Sequence, residues 1–413
     1  MVSSSSLPLL ADPQALIDLY PLLAHLRREA PVLWIEPLSA WMVTRYEDVV
    51  AAFRNPALSS QRMDLIVRFQ LRGSDPQLAK EFERIGNQQM LFRDGAEHHR
   101  LRVLGNRGFT PSMLDRARPI IQRTVDRLLE GLPESAKFDL VADFAQPLPA
   151  LVIAELFAIP EKDRSDFQDW SDAIAQFFGM SLGDPEQAAR ASDAAAVKLE
   201  AYFLALLEER RHKPGDDLMS LLLAGQSEGK LRPEEVSAQC ILLLAAGHVT
   251  TIDQMANGVN AFLDFPDQWE RLRSEPALLP SAVEEALRFD SAVPLVHRIC
   301  RAETQIRGQT ILPGQGVYLS TAAANRDPDI FAEPDRFDIA RADNRHISFG
   351  VGPHVCLGAG LARRELEIGF SALSRRFPQL RRGAEPARRR CESLIFRGFH
   401  SLPVEASSDP IEP

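Results

Sequence analysis

Apolar residues recur at three- and four-residue intervals through most of the chain, and that spacing predicts a mainly helical protein. It marks helices over 112–132, 144–157, 161–178 and 185–213. A longer run over 232–265 opens on Pro233-Glu234-Glu235, a helix-start signature, and its length predicts a helix through the middle of the molecule. Tyr46–Arg54 sets Val49, Val50 and Phe53 on one face and stops at Asn55-Pro56. Strand signals are fewer. Residues 32–36 and 41–44 flank Pro37-Leu38-Ser39 as a hairpin, 306–319 turns strand-like around Gly308 and Pro313-Gly314, and 393–404 offers a turn and strand pair. Between 61 and 94 the pattern breaks at Gly73, Pro76 and Gly86, which predicts a long functional loop carrying short helices. The sum is a mainly α fold with a minor β region. No linker-like tract divides residues 1–413, so a single domain is expected, with 1–15 as a flexible lead segment.

Composition narrows the function classes. An apolar share of 45% supports a large core, and a net charge of −10 excludes nucleic acid as a bulk partner. The four cysteines, Cys240, Cys300, Cys356 and Cys391, are scattered without metal-type pairing and read as reduced thiols of a cytoplasmic protein. The N-terminus lacks a basic segment followed by an apolar run, and no stretch offers ~18 uninterrupted apolar residues, so no membrane span is expected.

The candidate chemistry centres on Phe349-Gly350-Val351-Gly352-Pro353-His354-Val355-Cys356-Leu357-Gly358, which leads into a helical run. Glycines let backbone approach a flat ligand closely, and a helix starting after Cys356 directs amides at its sulfur. A thiolate so placed suits the axial position of a haem iron that cleaves an O–O bond. Inside the long helix, Leu242–Thr251 carries Ala246, Gly247, Thr250 and Thr251. A mid-helix glycine costs roughly 1 kcal/mol, and threonine hydroxyls bonding back to carbonyls bend helices, so a local groove is expected there. Glu285 and Arg288 share a face of Leu279–Phe289, and His98 and Arg102 lie one turn apart.

The pattern Phe349-x-x-Gly352-x-x-x-Cys356-x-Gly358, followed by Leu361-Ala362, resembles the haem-binding loop of cytochromes P-450. The Glu285-x-x-Arg288 pair and Ala324-Asn325-Arg326-Asp327-Pro328 with Phe331 extend the likeness over most of the chain. The resemblance implies a soluble, bacterial-type haem-thiolate monooxygenase, with haem b held by Cys356 against Phe349, Gly350 and Gly358. It implies propionate contacts from His98, Arg102, Arg298 and His354, and a structural network of Glu285, Arg288 and Arg336. It also implies that Ala246 and Gly247 admit dioxygen and that Thr250 donates a hydrogen bond toward it. One position departs from the family pattern. The usual acid before that threonine is Val249 here, which carries no proton; Asp253, His248, water or a polar substrate group are the candidate substitutes.

The resemblance places a substrate pocket opposite Cys356, drawing on Met63–Phe69, Met90–Phe92, Phe177–Leu182, Leu243, Ala246, Val293, Leu295, Val296, Ile395 and Phe396, with Phe92 and Phe178 among them. Such a lining suits a hydrophobic substrate, free or tethered to a carrier protein, in secondary metabolism. No flavin- or ferredoxin-like segment is apparent, so electrons are expected from a ferredoxin or flavodoxin and its NAD(P)H-dependent reductase. A basic patch of His99, Arg100, Arg107, Arg345, Arg363 and Arg364 would steer that donor. Two alternatives stand: a peroxide-using oxidation, suggested by Val249, and a non-catalytic binding module.

Overall fold

In a computed structural model of the chain, which describes residues 16–132, 137–179, 183–215 and 217–405, the long apolar run forms one helix, Pro233–Asp264. The expected lead segment, 1–15, lies outside the described residues. The central helix begins where sequence predicts: Pro233 fills its first turn, and the Glu235 carboxylate accepts the Arg232 N–H at 2.8 Å. By length and composition it could cross a membrane, yet 72% of its most apolar window is buried inside the protein, as expected of a core helix.

Helices Pro147–Leu156, Arg164–Phe178, Pro185–His212, Leu279–Phe289 and Ala359–Arg376 pack around it. Two glycines set how closely Ala359–Arg376 approaches. A Cβ on Gly258 would fall 2.4 Å from the Phe370 ring, and one on Gly369 would fall 2.4 Å from the Met255 methyl. That contact fixes the helix that follows the cysteine loop against the centre of the molecule.

Among the described residues, the β region is one mixed sheet and three smaller sheets. Strands β1 (Val32–Ile35), β2 (Ala40–Val43), β3 (Leu58–Ser59), β4 (Leu295–Cys300) and β5 (Gly316–Ser320) pair in the order β1-β2-β5-β4-β3. Only β2 and β5 run parallel, with Trp41 opposite Val317, and Arg298 on β4 faces the same Val317 from the other side.

The expected helices appear within a few residues of their predicted bounds, with one change of kind. The run over 144–157 divides into a π turn, Val141–Ala145, and the helix Pro147–Leu156. Pro147 lacks the N–H that a continuous helix would use, and the Gln146 N–H instead reaches Val141 O at 2.8 Å. The segment over 61–94 carries Met63–Gln70, Lys80–Gly86 and the short turns Pro76–Ala79 and Met90–Phe92. Helices Leu19–Glu29, Leu218–Ser227 and Pro266–Ser274 were not predicted.

A buried charge cluster ties the first helix to the end of the chain. Asp290 accepts hydrogen bonds from Tyr20 Oη at 2.9 Å, Arg397 Nε at 2.7 Å and Arg389 Nη2 at 2.7 Å. Burial opposes its charge, but Arg389 and Arg397 hold the carboxyl well below the usual carboxylate range. A depressed carboxyl stabilises the fold above its unfolded pKa and loses that contribution as pH falls toward the folded value. Asp290→Asn is therefore expected to cost about 3–5 kcal/mol at neutral pH. In thermal melts the gap from the parent protein should narrow below pH ~4; a gap that stays constant into acid would contradict the assignment.

Candidate active site

The cysteine loop folds as a turn whose geometry its glycines permit. Gly350 and Gly352 take φ of 68° and 81°, a region that disfavours side chains, and the Cys356 N–H closes the loop on Phe349 O at 2.8 Å. Gly358 has a second use. It lines a cavity of ≈ 370 Å³, and a Cβ built on it would meet no protein atom within 4 Å, so a flat ligand can lie against the backbone there. Cys356 fronts the same cavity. Burial raises its thiol, while the Gly358 and Ala359 amides, Arg102 and Arg363 pull the other way. Coordination to a metal ion would complete the shift to thiolate.

Basic side chains gather on the cavity. His98, Arg102, Arg298 and His354 all line it, and His98 and His354 stack with ring centroids 3.9 Å apart. Burial, then the neighbouring His354 and Arg102, lowers the His98 pKa to about 4, so its ring is a neutral hydrogen-bond partner. Burial brings Arg298 down to about 10. Sequence reasoning missed a fifth member, Arg62, in the irregular segment; burial and then Arg298 lower it to about 9, and its Nε has no partner.

Arg62, Arg102 and Arg298 bond only to Ser60 O, Asn106 Oδ1 and His297 O among the described residues. Desolvated guanidinium groups converging without carboxylates call for an anion. The nearest acid, Asp94, is engaged by His354 at 3.4 Å and by Ser59 and Ser60. A thiol, an open flat face and an anion-seeking edge on one cavity fit haem b, with its planar ring and two propionates.

Beneath the loop, Glu285 and Arg288 are fully buried and form a bidentate pair at 2.7 and 2.8 Å. The third member is Arg341, not Arg336. Arg341 Nε reaches both Glu285 oxygens at 3.0 and 3.2 Å, and the Asp338 N–H and Asn344 Nδ2 complete the carboxylate. Arg336 contributes its carbonyl to Arg288 at 3.1 Å, while its side chain points to solvent and meets Glu333. The turn that carries Arg336 lies at the surface, and the chain must run five residues further before a guanidinium can reach inward.

Across the cavity the central helix presents Ala246, Gly247, Thr250 and Thr251. Thr250 Oγ1 donates to Ala246 O at 3.2 Å and Thr251 Oγ1 to Gly247 O at 3.5 Å, the back-bonding expected of these residues. A Cβ on Gly247 would press on Ile153 Cδ1 at 3.1 Å, so helix packing as well as ligand access asks for glycine. Asp253 is not part of this site. Three residues on, it has rotated away from the cavity and is fully buried on Arg390 at 2.9 Å, where burial pushes its carboxyl up to about 7. His248 also faces elsewhere, with Nε2 3.3 Å from Ser171 Oγ and 3.4 Å from Asp172.

The remaining wall is apolar. Phe92, Phe178, Leu243, Val293, Leu295, Val296 and Phe396 line it, joined by Ile66, Phe82 and Ile174. Phe92, Phe178 and Phe396, from three distant segments, form a chain of aromatic contacts at 5.9 and 6.0 Å. Residues 180–182 of the expected lining lie outside the described residues.

The expected basic patch is largely neutralised. Arg100 pairs with Glu97 and Glu235, Arg107 with Glu228, Arg345 with Asp343, Arg363 with Glu284 and Arg364 with Glu367.

The sequence and fold of the chain match those of known proteins. Residues 62–392 match the family model described as Cytochrome P450. The chain is 37% identical over 367 residues to the biotin biosynthesis cytochrome P450 of Bacillus subtilis, covering 88% of this chain and 89% of that one. It is 38% identical over 392 residues to the vitamin D(3) 25-hydroxylase of Pseudonocardia autotrophica, covering 93% of each. A P450 solved with an acyl carrier protein bearing hexadec-9Z-enoic acid superposes with a TM-score of 0.88 at 36% identity, over 95% of this chain and 100% of that one. The chain belongs to the cytochrome P450 family and is a haem-thiolate monooxygenase of the bacterial type, with dioxygen as co-substrate.

Proposed function

We propose that this enzyme inserts one atom of dioxygen into a hydrophobic small molecule, by hydroxylation or epoxidation, within secondary metabolism. The observation that carries this is the apolar lining of the cavity that Cys356 shares, where Phe92, Phe178 and Phe396 offer aromatic surface. Bound at this site, haem would supply the oxygen activation and transfer. The chain's own residues do the rest. Cys356 would give its sulfur as the iron ligand, and the Gly358 and Ala359 amides temper that sulfur's charge. Arg62, Arg102, Arg298, His98 and His354 would grip the propionate edge.

The phenylalanine chain excludes water and orients the substrate by shape. Thr250, already donating to Ala246 O, keeps oxygen lone pairs free toward the cavity and can pass a proton across it. Electrons would come from a ferredoxin or flavodoxin and its NAD(P)H-dependent reductase. With the arginines of the cysteine-side face paired, docking of that donor would depend on local charge pairs more than on a broad positive field. Val249 favours a second reading, direct use of peroxide; the retained Thr250 hydroxyl favours dioxygen.

An optical titration of the ferric Soret band tests the substrate class. The probes are a free long-chain fatty acid, a secosteroid, and an acyl carrier protein bearing the same acyl chain. The named activity of the Pseudonocardia relative and the carrier-bound neighbour motivate them. An apolar ligand that displaces water from iron should shift the band to the blue. A shift with the free compounds identifies a diffusible substrate, and a shift with the carrier-bound chain alone identifies a tethered one. Saturable shifts with polar compounds only would overturn the apolar assignment.

A further inference from the structure

Ile395 and Phe396 of the apolar lining sit on the loop 390–398, which joins the strands Arg388–Arg389 and Phe399–Ser401. The Arg390 N–H closes the loop's base on Gly398 O at 3.0 Å. Its two limbs are held differently. On the exit limb, Arg397 Nε reaches Asp290 at 2.7 Å, the Arg397 N–H donates to Ala292 O at 2.9 Å, and its carbonyl accepts from Asn257 Nδ2 at 2.8 Å. At the tip, Ser393 Oγ donates to Gly179 O at 2.7 Å and accepts the Phe396 N–H at 3.0 Å. The entry limb meets the central helix where Arg390 Nη1 donates to Asp253 Oδ2 at 2.9 Å.

Asp253 is poorly equipped to carry charge there. Asp290 has two guanidinium groups and the Tyr20 hydroxyl. Asp253 has Arg390, and its Oδ1 has no hydrogen-bond partner among the described residues. It is 0% exposed, and Gly398 packs so closely that a Cβ there would collide with the carboxyl. Four charged neighbours act on it. Arg390 and Arg389 of the hairpin favour the anion, while Glu392 of the hairpin and Asp172 of the helix Arg164–Phe178 oppose it. Arg389, Glu392 and Asp172 are themselves engaged by Asp290, His400 and His248. Burial therefore prevails and moves the carboxyl up to about 7, whereas an exposed aspartate titrates near ~3.9.

We propose that Asp253 is a positioning residue for the substrate lining: protonated, it holds the entry limb of loop 390–398 down, and ionised, it lets the limb lift and unseats Ile395 and Phe396. The inference rests on the apolar lining being the substrate's, as read above, and deepens that reading. The sign follows from where the proton binds. With the limb down, the buried carboxyl keeps its proton into the neutral range. With the limb lifted, water reaches the carboxyl and the proton leaves in acid. Lifting thus releases a proton between those limits, and each unit of rising pH favours the lifted form by up to about tenfold until the buried carboxyl itself ionises. Substrate fit is therefore tightest in mild acid.

The first test is amide hydrogen exchange of residues 391–396 in the ferric holoenzyme, corrected for the intrinsic pH dependence of exchange. Parent protection should fall about tenfold or more from pH ~5.5 to pH ~8. Asp253→Asn should keep its protection and lose the pH dependence. Arg390→Gln removes a cation that favours the anion, so the midpoint should move to higher pH. Equal pH dependence in the parent and Asp253→Asn would overturn the proposal, whatever the substrate class. If Asp253→Asn does not fold, the midpoint shift in Arg390→Gln carries the test, and an unmoved midpoint overturns the proposal. The second test is the Soret titration with a secosteroid, which has no titrating group. Its dissociation constant should rise several-fold over the same pH range in the parent and stay flat in Asp253→Asn. Binding that is flat in both, beside pH-dependent exchange, would detach the loop from the substrate lining and overturn the assigned role.

Discussion

Arg288→Ala will leave the chain unable to hold its cofactor and close to unfolding, at a cost of about 3–5 kcal/mol. The reason is the carboxylate left behind. Glu285 is fully buried, and Arg288 meets it through Nε and Nη2 while Nη1 donates to Asn325 O and Pro334 O and Nη2 also donates to Arg336 O. Those three carbonyls fix the segment that leads into the cysteine loop. Removing the guanidinium frees them together and strands a charge where water cannot reach it. Arg341→Ala should behave as a milder version, because Arg288 would still satisfy Glu285; about 1–3 kcal/mol is expected. Arg336→Ala should fall within about 0.5 kcal/mol of the parent, since only its main chain takes part. Haem absorbance per protein and denaturant unfolding of the three variants give the ranking. An Arg336→Ala defect matching that of Arg341→Ala would return the role to Arg336.

That contrast shows where sequence stops being informative. Cys356, the glycines around it and the Glu285–Arg288 spacing are local patterns, and local patterns survive as residue intervals. Arg341 reaches Glu285 only because the intervening turn keeps Arg336 at the surface, a path that no interval encodes. Arg62 was hidden for a related reason: its place beside Arg298 depends on an irregular segment meeting strand β4. Asp253 was misplaced by helix arithmetic. Positions three apart are neighbours on a helix, but the turn between them is enough to carry Asp253 from the cavity to Arg390. The basic patch failed because arginines were counted without the carboxylates that fold beside them.

Holding the cofactor and activating oxygen are separable in this site, and Cys356→Ser is the variant that divides them. Serine nearly matches cysteine in volume and keeps the main-chain N–H that closes the loop on Phe349 O, so the turn should persist. The grip on the propionate edge comes from Arg62, Arg102, Arg298 and the two stacked histidines, none of which the substitution touches. Haem should therefore still bind, at reduced occupancy. Dioxygen-dependent product formation should fall to background, because a neutral hydroxyl supplies neither the charge nor the polarisable sulfur that O–O cleavage draws on. The reduced carbon monoxide complex should lose the red-shifted Soret band of a thiolate-ligated haem. The converse variant, Arg62→Ala with Arg298→Ala, should lose most of its haem while the fraction retained keeps the thiolate spectrum. A serine variant that turns over at the parent rate would remove Cys356 from the iron. A double arginine variant with full haem occupancy would mean that the buried cations serve some other anion.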